Sequence, residues 1–240
     1  MQFKDVIGQQ EVKNRLTEMM QDNRLAHALL FLGKEGSGSL PLALAFSQYI
    51  ICEKVNNKRN ISGPSLFGED TSTDTIVLND SCGICPACLR ASQLAHPDIH
   101  YSYPTLVRNP NDNKPIATDY VLEWREFFIS HPYGDAKDWI DFLKEHPHAK
   151  IQNPANKQGN ITAAECSDII RKLNLKSFES EYKILILWMP EYLEKEGNKL
   201  LKLIEEPPDN TLFILVAENE SLILPTIVSR CQLVKIPALE

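Results

Sequence analysis

An apolar segment that ends in a glycine-rich turn and is followed by a helical run constrains this fold more than any other feature. Residues 28–32 (Ala-Leu-Leu-Phe-Leu) predict a short buried strand, Gly33-Lys-Glu-Gly-Ser-Gly38 follows, and residues 40–52 predict a helix. Pro41 suits the first turn of that helix, because its missing N–H has no partner there in any case. A strand, a glycine loop and a helix in this order begin a phosphate-binding α/β domain.

Strands and helices continue to alternate along the chain. Four more strands are predicted, at residues 100–104, 183–187, 211–217 and 232–236. Helices are predicted at residues 9–21, 121–129, 138–144, 163–173 and about 194–205, with Asn160 or Thr162 as the cap of the fourth. The almost continuous apolar run at 183–187 is typical of a parallel strand covered on both faces. The sequence therefore predicts an α/β fold with a parallel sheet and right-handed crossovers.

The glycine loop keeps the frame of a phosphate loop but lacks its chemical groups. The pattern G-x-x-x-x-G-K-[ST] uses a lysine to reach the β- and γ-phosphates and a hydroxyl to hold Mg²⁺. The frame is present in Gly33, Gly36 and Gly38, but Ser39 replaces the lysine and Leu40 replaces the hydroxyl residue. We therefore expect no productive binding of ATP at this loop.

A second nucleotide motif has also lost its carboxylates. ATPases of this type carry an Asp that binds Mg²⁺ and a Glu that handles the attacking water after a later strand. Here Trp188 and Met189 follow the strand at 183–187, and neither can bind a hard cation. The nearest carboxylate, Glu191, is interpreted as a solvated residue at a helix start. Together with the altered loop, this predicts a chain that is not an ATPase by itself.

Three cysteines at a spacing of three residues predict a metal site. Cys82, Cys85 and Cys88 can converge on one ion, and Zn²⁺ in structural sites takes four nitrogen or sulfur ligands. Cys52, at the end of the predicted first crossover helix, is the expected fourth ligand, with His96 and His100 as alternatives. We expect one structural zinc per chain.

An iron–sulfur centre is the competing interpretation of the same three cysteines. The ferredoxin pattern begins with the same C-x₂-C-x₂-C run but needs a further cysteine three residues on, followed by proline. Ala91 and Ser92 follow instead, so the requirement fails. The remaining cysteines, Cys166 and Cys231, lie in other segments and are interpreted as small buried apolar residues.

The charge balance and the apolar runs limit the class of protein. The 25 Lys and Arg against 32 Asp and Glu give a formal charge of −7, which argues against binding to DNA through bulk positive charge. The N-terminus lacks the apolar segment of a signal peptide, and every apolar run is far shorter than the ~20 residues that span a bilayer. We expect a cytoplasmic protein with reduced thiols and no membrane contact.

Arg230 lies between a short helical stretch (224–228) and the last predicted strand, in the sequence Ser229-Arg230-Cys231. Taken by itself, an arginine at a helix C-terminus is most often a partner of the last carbonyl groups.

Several segments together resemble the δ′ subunits of bacterial clamp loaders, which are part of DNA polymerase III and of the AAA+ superfamily. The segments are Ile7-Gly8-Gln9, His27 to Phe31, the cysteine module with His96-Pro97-Asp98, Asn198 to Lys202 with Glu205 to Pro208, Leu224 to Ile227, and Ser229 to Cys231. The resemblance implies a three-layer AAA+ domain (RecA-like, P-loop NTPase type) with an inserted structural zinc module. It also implies a non-hydrolysing stator whose Arg230 acts in trans, as an arginine finger in a neighbour's ATP site.

The resemblance also implies an organisation and a set of partners. Residues 1–240 would form the AAA+ core, with the zinc module at about 52–90 and an insertion that the family lacks at about 106–160. The family's helical lid and C-terminal collar domain would be absent from this chain, which ends just after the last strand. The implied partners are the motor (γ/τ) and δ subunits and, through the complex, the sliding clamp and primed DNA. Two other functions remain open: an ATP-hydrolysing motor subunit, and a zinc-dependent nucleic-acid-binding module, which the charge of −7 disfavours.

Overall fold

Five parallel strands form one sheet in the computed structural model, which describes residues 1–60, 79–108, 114–153 and 157–239. The strands are β1 (Ala28–Leu32), β2 (Ile99–Ser102), β3 (Lys183–Trp188), β4 (Thr211–Ala217) and β5 (Gln232–Lys235). Their order is β2-β3-β4-β1-β5, so β1 lies between β4 and β5 and β2 forms an edge. In the register, Leu29 pairs with Ile214 and Ile99 pairs with Ile184.

Helices cover both faces of this sheet. The α-helices in the described ranges are α1 (Gln10–Gln21), α2 (Ser39–Ile51), α3 (Glu53–Asn60), α4 (Pro86–Ser92), α5 (Val121–Ser130), α6 (Ala136–Glu145), α7 (Ala163–Leu173), α8 (Leu201–Glu205) and α9 (Pro225–Val228). In the same ranges, 3₁₀ helices span Phe3–Asp5, Ala117–Tyr120, Pro190–Leu200 and Glu220–Leu222. Among these ranges, none of the helices has the length and apolar character that a membrane crossing requires.

Alternation along the strands divides the core into two layers. Leu29 and Phe31 of β1 pack in a cluster with α1, α2, α4, α5 and α6, whereas Ala28 and Leu30 pack in a second cluster with α7, α8 and α9. Side chains of successive strand residues point to opposite faces, so each strand contributes to both layers. The predicted three-layer α/β fold with a parallel sheet is confirmed.

The predicted elements agree with the structure most closely in the strands. The bounds of β1, β4 and α7 are those expected, and Thr162 caps α7 by accepting the N–H of Glu165 at 3.1 Å. The helix expected at about 194–205 is confirmed in part: it ends at Glu205, but only its last five residues are α-helical. Residues 195–200 belong to the 3₁₀ helix Pro190–Leu200, in which the non-helical backbone of Glu194 (φ 46°, ψ −132°) forms a kink at the expected start of the helix. Only α8 is a regular helix here.

Helices α5 and α6 form a hairpin whose aromatic residues pack against the sheet. The rings of Trp124 and Trp139 meet edge to face with centroids 5.4 Å apart, and Tyr103 stacks on Trp124 at 4.1 Å. Trp139 Nε1 donates to Pro104 O at 2.7 Å, so a buried indole is also satisfied. This hairpin lies within the expected insertion at 106–160, of which residues 109–113 and 154–156 fall outside the described residues.

Candidate metal centre and phosphate loop

The four predicted metal-binding cysteines lie together at the end of α2 and the start of α4. Cys52 follows α2, Cys82 lies in the loop before α4, Cys85 is the residue that caps α4, and Cys88 is in its first turn. Their Sγ atoms all lie within 4.8 Å of one another. The expected ligand set is therefore brought together by the fold, although residues 61–78 of the expected zinc module lie outside the described residues.

The geometry and chemistry of this group fit a tetrahedral metal. Bonds of 2.3 Å to a tetrahedral zinc would separate two sulfurs by about 3.8 Å, and the Sγ atoms of Cys82 and Cys88 are 3.9 Å apart. Backbone N–H groups also point at sulfur: Cys82 N lies 3.3 Å from Cys52 Sγ, and Cys85 N lies 3.4 Å from Cys82 Sγ. Such donors stabilise thiolates, which are the form that binds metal. This cluster could bind one metal ion.

The thiols of the cluster share protons. A hydrogen bond from Cys88 lowers the pKa of Cys52 to about 5, and backbone N–H donors of Cys82 and Val55 assist, against the effect of burial. The pKa of Cys88 is raised in turn, because its proton is shared with the Cys52 sulfur. Burial raises the pKa of Cys85. Hydrogen bonds within the cluster therefore favour the thiolate form of Cys52, which is the form that binds a metal.

The alternative ligands His96 and His100 are not members of the four-residue group. His96 is buried against a different partner set: its Nδ1 accepts the N–H of Asp98 at 3.2 Å, and its Nε2 lies 3.0 Å from Glu179 Oε1. Asp98 in turn accepts three backbone N–H groups, from Phe178, Glu179 and Ser180, at 2.5–2.9 Å. The His-Pro-Asp segment therefore holds the loop before β3. The second alternative ligand, His100, lies on β2, where burial lowers its pKa to about 4.

The two remaining cysteines lie apart from the cluster, as expected. Cys166 on α7 is fully buried, and burial raises its pKa to about 11. Cys231 is half-buried, and burial raises its pKa to about 11 as well. Neither thiol is poised for reaction at neutral pH.

The glycine loop joins β1 to α2 at the position that a phosphate loop occupies. Gly36 (φ +72°) and Gly38 (φ +81°) adopt left-handed backbone conformations that favour glycine. Ser39 begins α2, and its hydroxyl forms a buried 2.8 Å hydrogen bond with that of Ser37 instead of facing an open site. Leu40 is buried in the core. The two positions that bind phosphate and Mg²⁺ in the functional motif are thus used for packing.

Trp188 and Met189 fill the place of the missing carboxylates with apolar packing. Trp188 is 2% exposed and lies 5.2 Å, centroid to centroid, from Trp124 of α5. Met189 is 3% exposed and donates its N–H to Val216 O at 2.9 Å. A single exchange of either residue for a carboxylate would bury an unpaired charge, which is strongly unfavourable.

Glu191 differs from its interpretation as a solvated residue. It does lie in the first turn of the helix Pro190–Leu200, but its Oε1 accepts the N–H groups of Glu218 (2.7 Å) and Asn219 (2.9 Å). The carboxylate thereby holds the loop that follows β4. No local pattern indicates this contact, because the partners are backbone groups 27 and 28 residues away.

Arg230 forms a charged pair within the chain. Its Nε donates to Glu205 Oε1 at 2.7 Å, a second guanidinium nitrogen contacts the same carboxylate, and a third donates to Thr226 O at 2.6 Å. The Thr226 contact agrees with the local interpretation as a helix-end partner. The side chain of Arg230 is 33% exposed, so its guanidinium is accessible at the surface.

Glu218 borders the cavity at the glycine loop together with Lys34, and sequence reasoning missed the interaction of Glu218 with other carboxylates. A side-chain hydrogen bond to Asp135 raises the pKa of Glu35, and the charge of Asp135 adds to the effect. Burial of the carboxyl group, followed by the charges of Glu191, Asp135 and Glu35, raises the pKa of Glu218 to about 7. These residues come from segments about 100 and 80 residues apart, so no local pattern could have indicated the cluster.

Comparison with known proteins places these features in a family. A family model described as DNA polymerase III, delta subunit matches residues 8–240. DNA polymerase III subunit delta' of Bacillus subtilis (strain 168) is 24% identical over 225 residues, which cover 93% of this chain and 46% of that protein. Subunit tau of the same organism is 23% identical, over 96% of this chain and 28% of the relative.

Two further proteins are similar to this chain. Subunit delta' of Haemophilus influenzae (strain ATCC 51907 / DSM 11121 / KW20 / Rd) is 25% identical, over 86% of this chain and 41% of its own length. A solved structure of a DNA polymerase III gamma subunit-related protein from Thermotoga maritima covers 95% of this chain and 46% of its own, at 14% identity and a TM-score of 0.48. This chain spans less than half the length of each of these relatives.

Proposed function

This chain belongs to the family described as DNA polymerase III, delta subunit, and on that premise we propose that it is a stator of the bacterial clamp loader. In this role it would hold the ring of subunits together without hydrolysing ATP and would help to place the sliding clamp on primed DNA. Its partners would be the motor (γ/τ) and δ subunits, and its location the cytoplasm. The names of the relatives, which are delta', tau and gamma/tau subunits, support these assignments.

Both altered nucleotide motifs are buried, and this observation is the main support for a non-hydrolysing role. Ser39 and Leu40 are buried where a lysine and a hydroxyl would meet phosphate and Mg²⁺, and Trp188 is part of the aromatic core. Phosphoryl transfer depends on such groups for positioning and for neutralising charge. With them replaced by packing residues, the chain retains the glycine frame of the site without its chemistry.

Arg230 supplies the catalytic contribution that we propose for this subunit. An arginine provided by a neighbouring chain stabilises the charge that develops on the γ-phosphoryl group, an effect of ~10³–10⁵ in rate. Arg230 already holds a carboxylate with two nitrogens of its guanidinium, Nε and a terminal one. The same geometry suits phosphate oxygens. In the complex, the arginine would exchange Glu205 for the neighbour's phosphoryl group.

The cysteine cluster would hold one structural zinc through Cys52, Cys82, Cys85 and Cys88. A closed site with four sulfur ligands contributes folding free energy and leaves no position for a substrate. The chain's own residues support this role, because backbone N–H groups orient the sulfurs and the cluster ties the end of α2 to the start of α4. The zinc module would therefore shape the subunit surface and take no part in catalysis.

Co-purification of the full-length protein with motor and δ subunits tests the proposal most simply. We expect a stable complex of defined stoichiometry and no ATP turnover by the chain alone. The alternative of an ATP-hydrolysing motor subunit, which the similarity to tau and gamma/tau proteins favours, predicts turnover above a mock preparation. Failure to associate with the motor subunits would refute the stator role.

A further inference from the structure

The turn between α5 and α6 (residues 131–135, the Tyr133 turn) lies directly on the glycine loop. A Cβ atom built on Gly38 would be 2.9 Å from Cε1 of Tyr133, so the tyrosine ring already contacts the glycine backbone. The Tyr133 hydroxyl accepts the N–H of Ile7 at 2.8 Å. One side chain thus connects three segments that are remote in sequence: the N-terminal segment, the glycine loop and the hairpin.

The Tyr133 turn is held rigidly by its own hydrogen bonds and by the aromatic core. His131 N donates to Phe127 O at 2.7 Å, and Gly134 N donates to His131 O at 3.0 Å. The His131 ring stacks on Phe127 with centroids 5.3 Å apart. Asp135 then caps α6 by accepting the N–H of Asp138 at 2.7 Å. The position of Tyr133 therefore follows from the packing of the whole hairpin.

Little space remains between the turn and the loop. The cavity bordered by Gly33 to Pro41, by residues 132–134 and by Trp188 has a volume of about 30 Å³. That volume accommodates about two water molecules. A triphosphate chain in the cradle of the loop would have to displace the tyrosine ring.

The charged groups at this cavity are of both signs. Glu218 and Lys34 both border it, and the raised pKa of Glu218, about 7, reduces its negative charge at neutral pH. The small volume and the position of the Tyr133 ring, and not charge, therefore support the inference.

We infer that the glycine loop of this chain is a docking site for its own Tyr133 turn: the aromatic ring of Tyr133 occupies the loop in place of a nucleotide phosphate and anchors the α5–α6 hairpin to the core. This assigns a role to the segment at 114–153. It concerns the isolated chain and does not depend on assembly with other subunits.

A comparison of two glycines tests the docking directly. Gly36 and Gly38 both have positive φ, so alanine at either position strains the backbone, but only Gly38 lies under Tyr133, and nothing lies within 4 Å of a Cβ at Gly36. We expect Gly38→Ala to lower the melting temperature of the 240-residue chain by about 2–4 °C more than Gly36→Ala does. In a Tyr133→Ala background this difference should vanish. Equal effects of the two alanines in the wild-type chain would overturn the inference.

Hydrogen exchange supplies a second test with a milder variant. Tyr133→Phe keeps the ring and removes only the hydroxyl, so the Ile7 amide should exchange about 2- to 10-fold faster. Tyr182→Phe is the matched control, because in the described parts of the chain the Tyr182 hydroxyl has no hydrogen bond. An unchanged exchange rate of the Ile7 amide in the Tyr133→Phe variant would contradict the position of Tyr133 between the N-terminal segment and the glycine loop.

Nucleotide binding completes the test. Equilibrium dialysis with ATP and with ADP at about 1 mM, the upper range of ordinary substrate affinities, should detect no binding to the wild-type chain. Saturable binding well below that concentration, with the hairpin still protected from exchange, would show that the loop is open and would overturn the inference.

Discussion

Removal of the proposed zinc should destabilise the chain, and the expected loss of stability follows from the length of the loop between Cys52 and Cys82. Cys52 and Cys82 are 30 residues apart, and an ion that remained on both thiolates in the unfolded chain would restrict that chain as a disulfide does. For a loop of this length the chain-entropy estimate is about 3.6 kcal/mol at 25 °C. At about 2–4 °C per kcal/mol for a domain of this size, the melting temperature should fall by about 7–14 °C.

Thermal unfolding of the purified chain, with and without a strong chelator, measures this effect, together with elemental analysis of zinc and iron. We expect one zinc per chain before chelation, and a Cys85→Ser variant that lacks zinc and unfolds near the temperature of the chelated wild type. Cys231→Ser is the control, because that thiol is remote from the cluster and the variant should retain its zinc.

Two results would refute the reasoning. One is a chelated chain that has lost its metal but melts at the original temperature, since the cluster would then contribute no stability. The other is iron in place of zinc in the elemental analysis, which would support the iron–sulfur interpretation of the cluster.

Three further predictions concern the phosphate loop and the core. The isolated chain should not hydrolyse ATP in a phosphate-release assay. Ser39→Lys alone should not restore turnover, because the Mg²⁺-binding groups remain absent. Turnover by that variant would contradict the proposed non-hydrolysing role. The pKa of Glu218 is raised to about 7, above its usual 4.5, so its ionisation disfavours the folded state and the free energy of unfolding should fall as the pH rises from about 4.5 through 7. Denaturant melts at several pH values should show a weaker dependence of stability on pH for Glu218→Gln than for the wild type. An identical pH dependence would exclude Glu218 as its cause. Trp139→Ala should lower the free energy of unfolding by about 3–5 kcal/mol in the same melts, because the residue is fully buried in the aromatic cluster. A decrease of under about 1 kcal/mol would show that the hairpin is not part of the core.

Local patterns predicted the parts of the fold that depend on local chemistry. Strands β1 and β4 and helix α7 have the expected bounds. The reason is that a continuous apolar run and a capping residue are both patterns of neighbouring residues. The four cysteines were also predicted, because three of them lie within one short motif and thiols have few other roles in such clusters.

Contacts between remote segments were not predictable in the same way. The Tyr133 turn reaches Gly38 and Ile7 across about 95 and 126 residues, and nothing in the sequence near Tyr133 indicates a docked ring. The 3₁₀ form of the segment Pro190–Leu200 was not predicted, because helix propensity does not distinguish a 3₁₀ helix from an α-helix. Glu191 was assigned to solvent because its partners are backbone N–H groups, which carry no sequence signal.

ATP turnover by a reconstituted clamp loader that contains Arg230→Ala tests the central claim most directly. The variant should keep its fold, its zinc and its place in the complex, because Arg230 is a surface residue paired with an exposed Glu205. Arg171→Ala, which removes another surface arginine that is paired with a carboxylate, is the charge-matched control. We expect a partial loss of turnover with Arg230→Ala and none with the control, since only one ATP site would border this subunit. Full turnover by a correctly assembled Arg230→Ala complex would contradict the proposed role of Arg230.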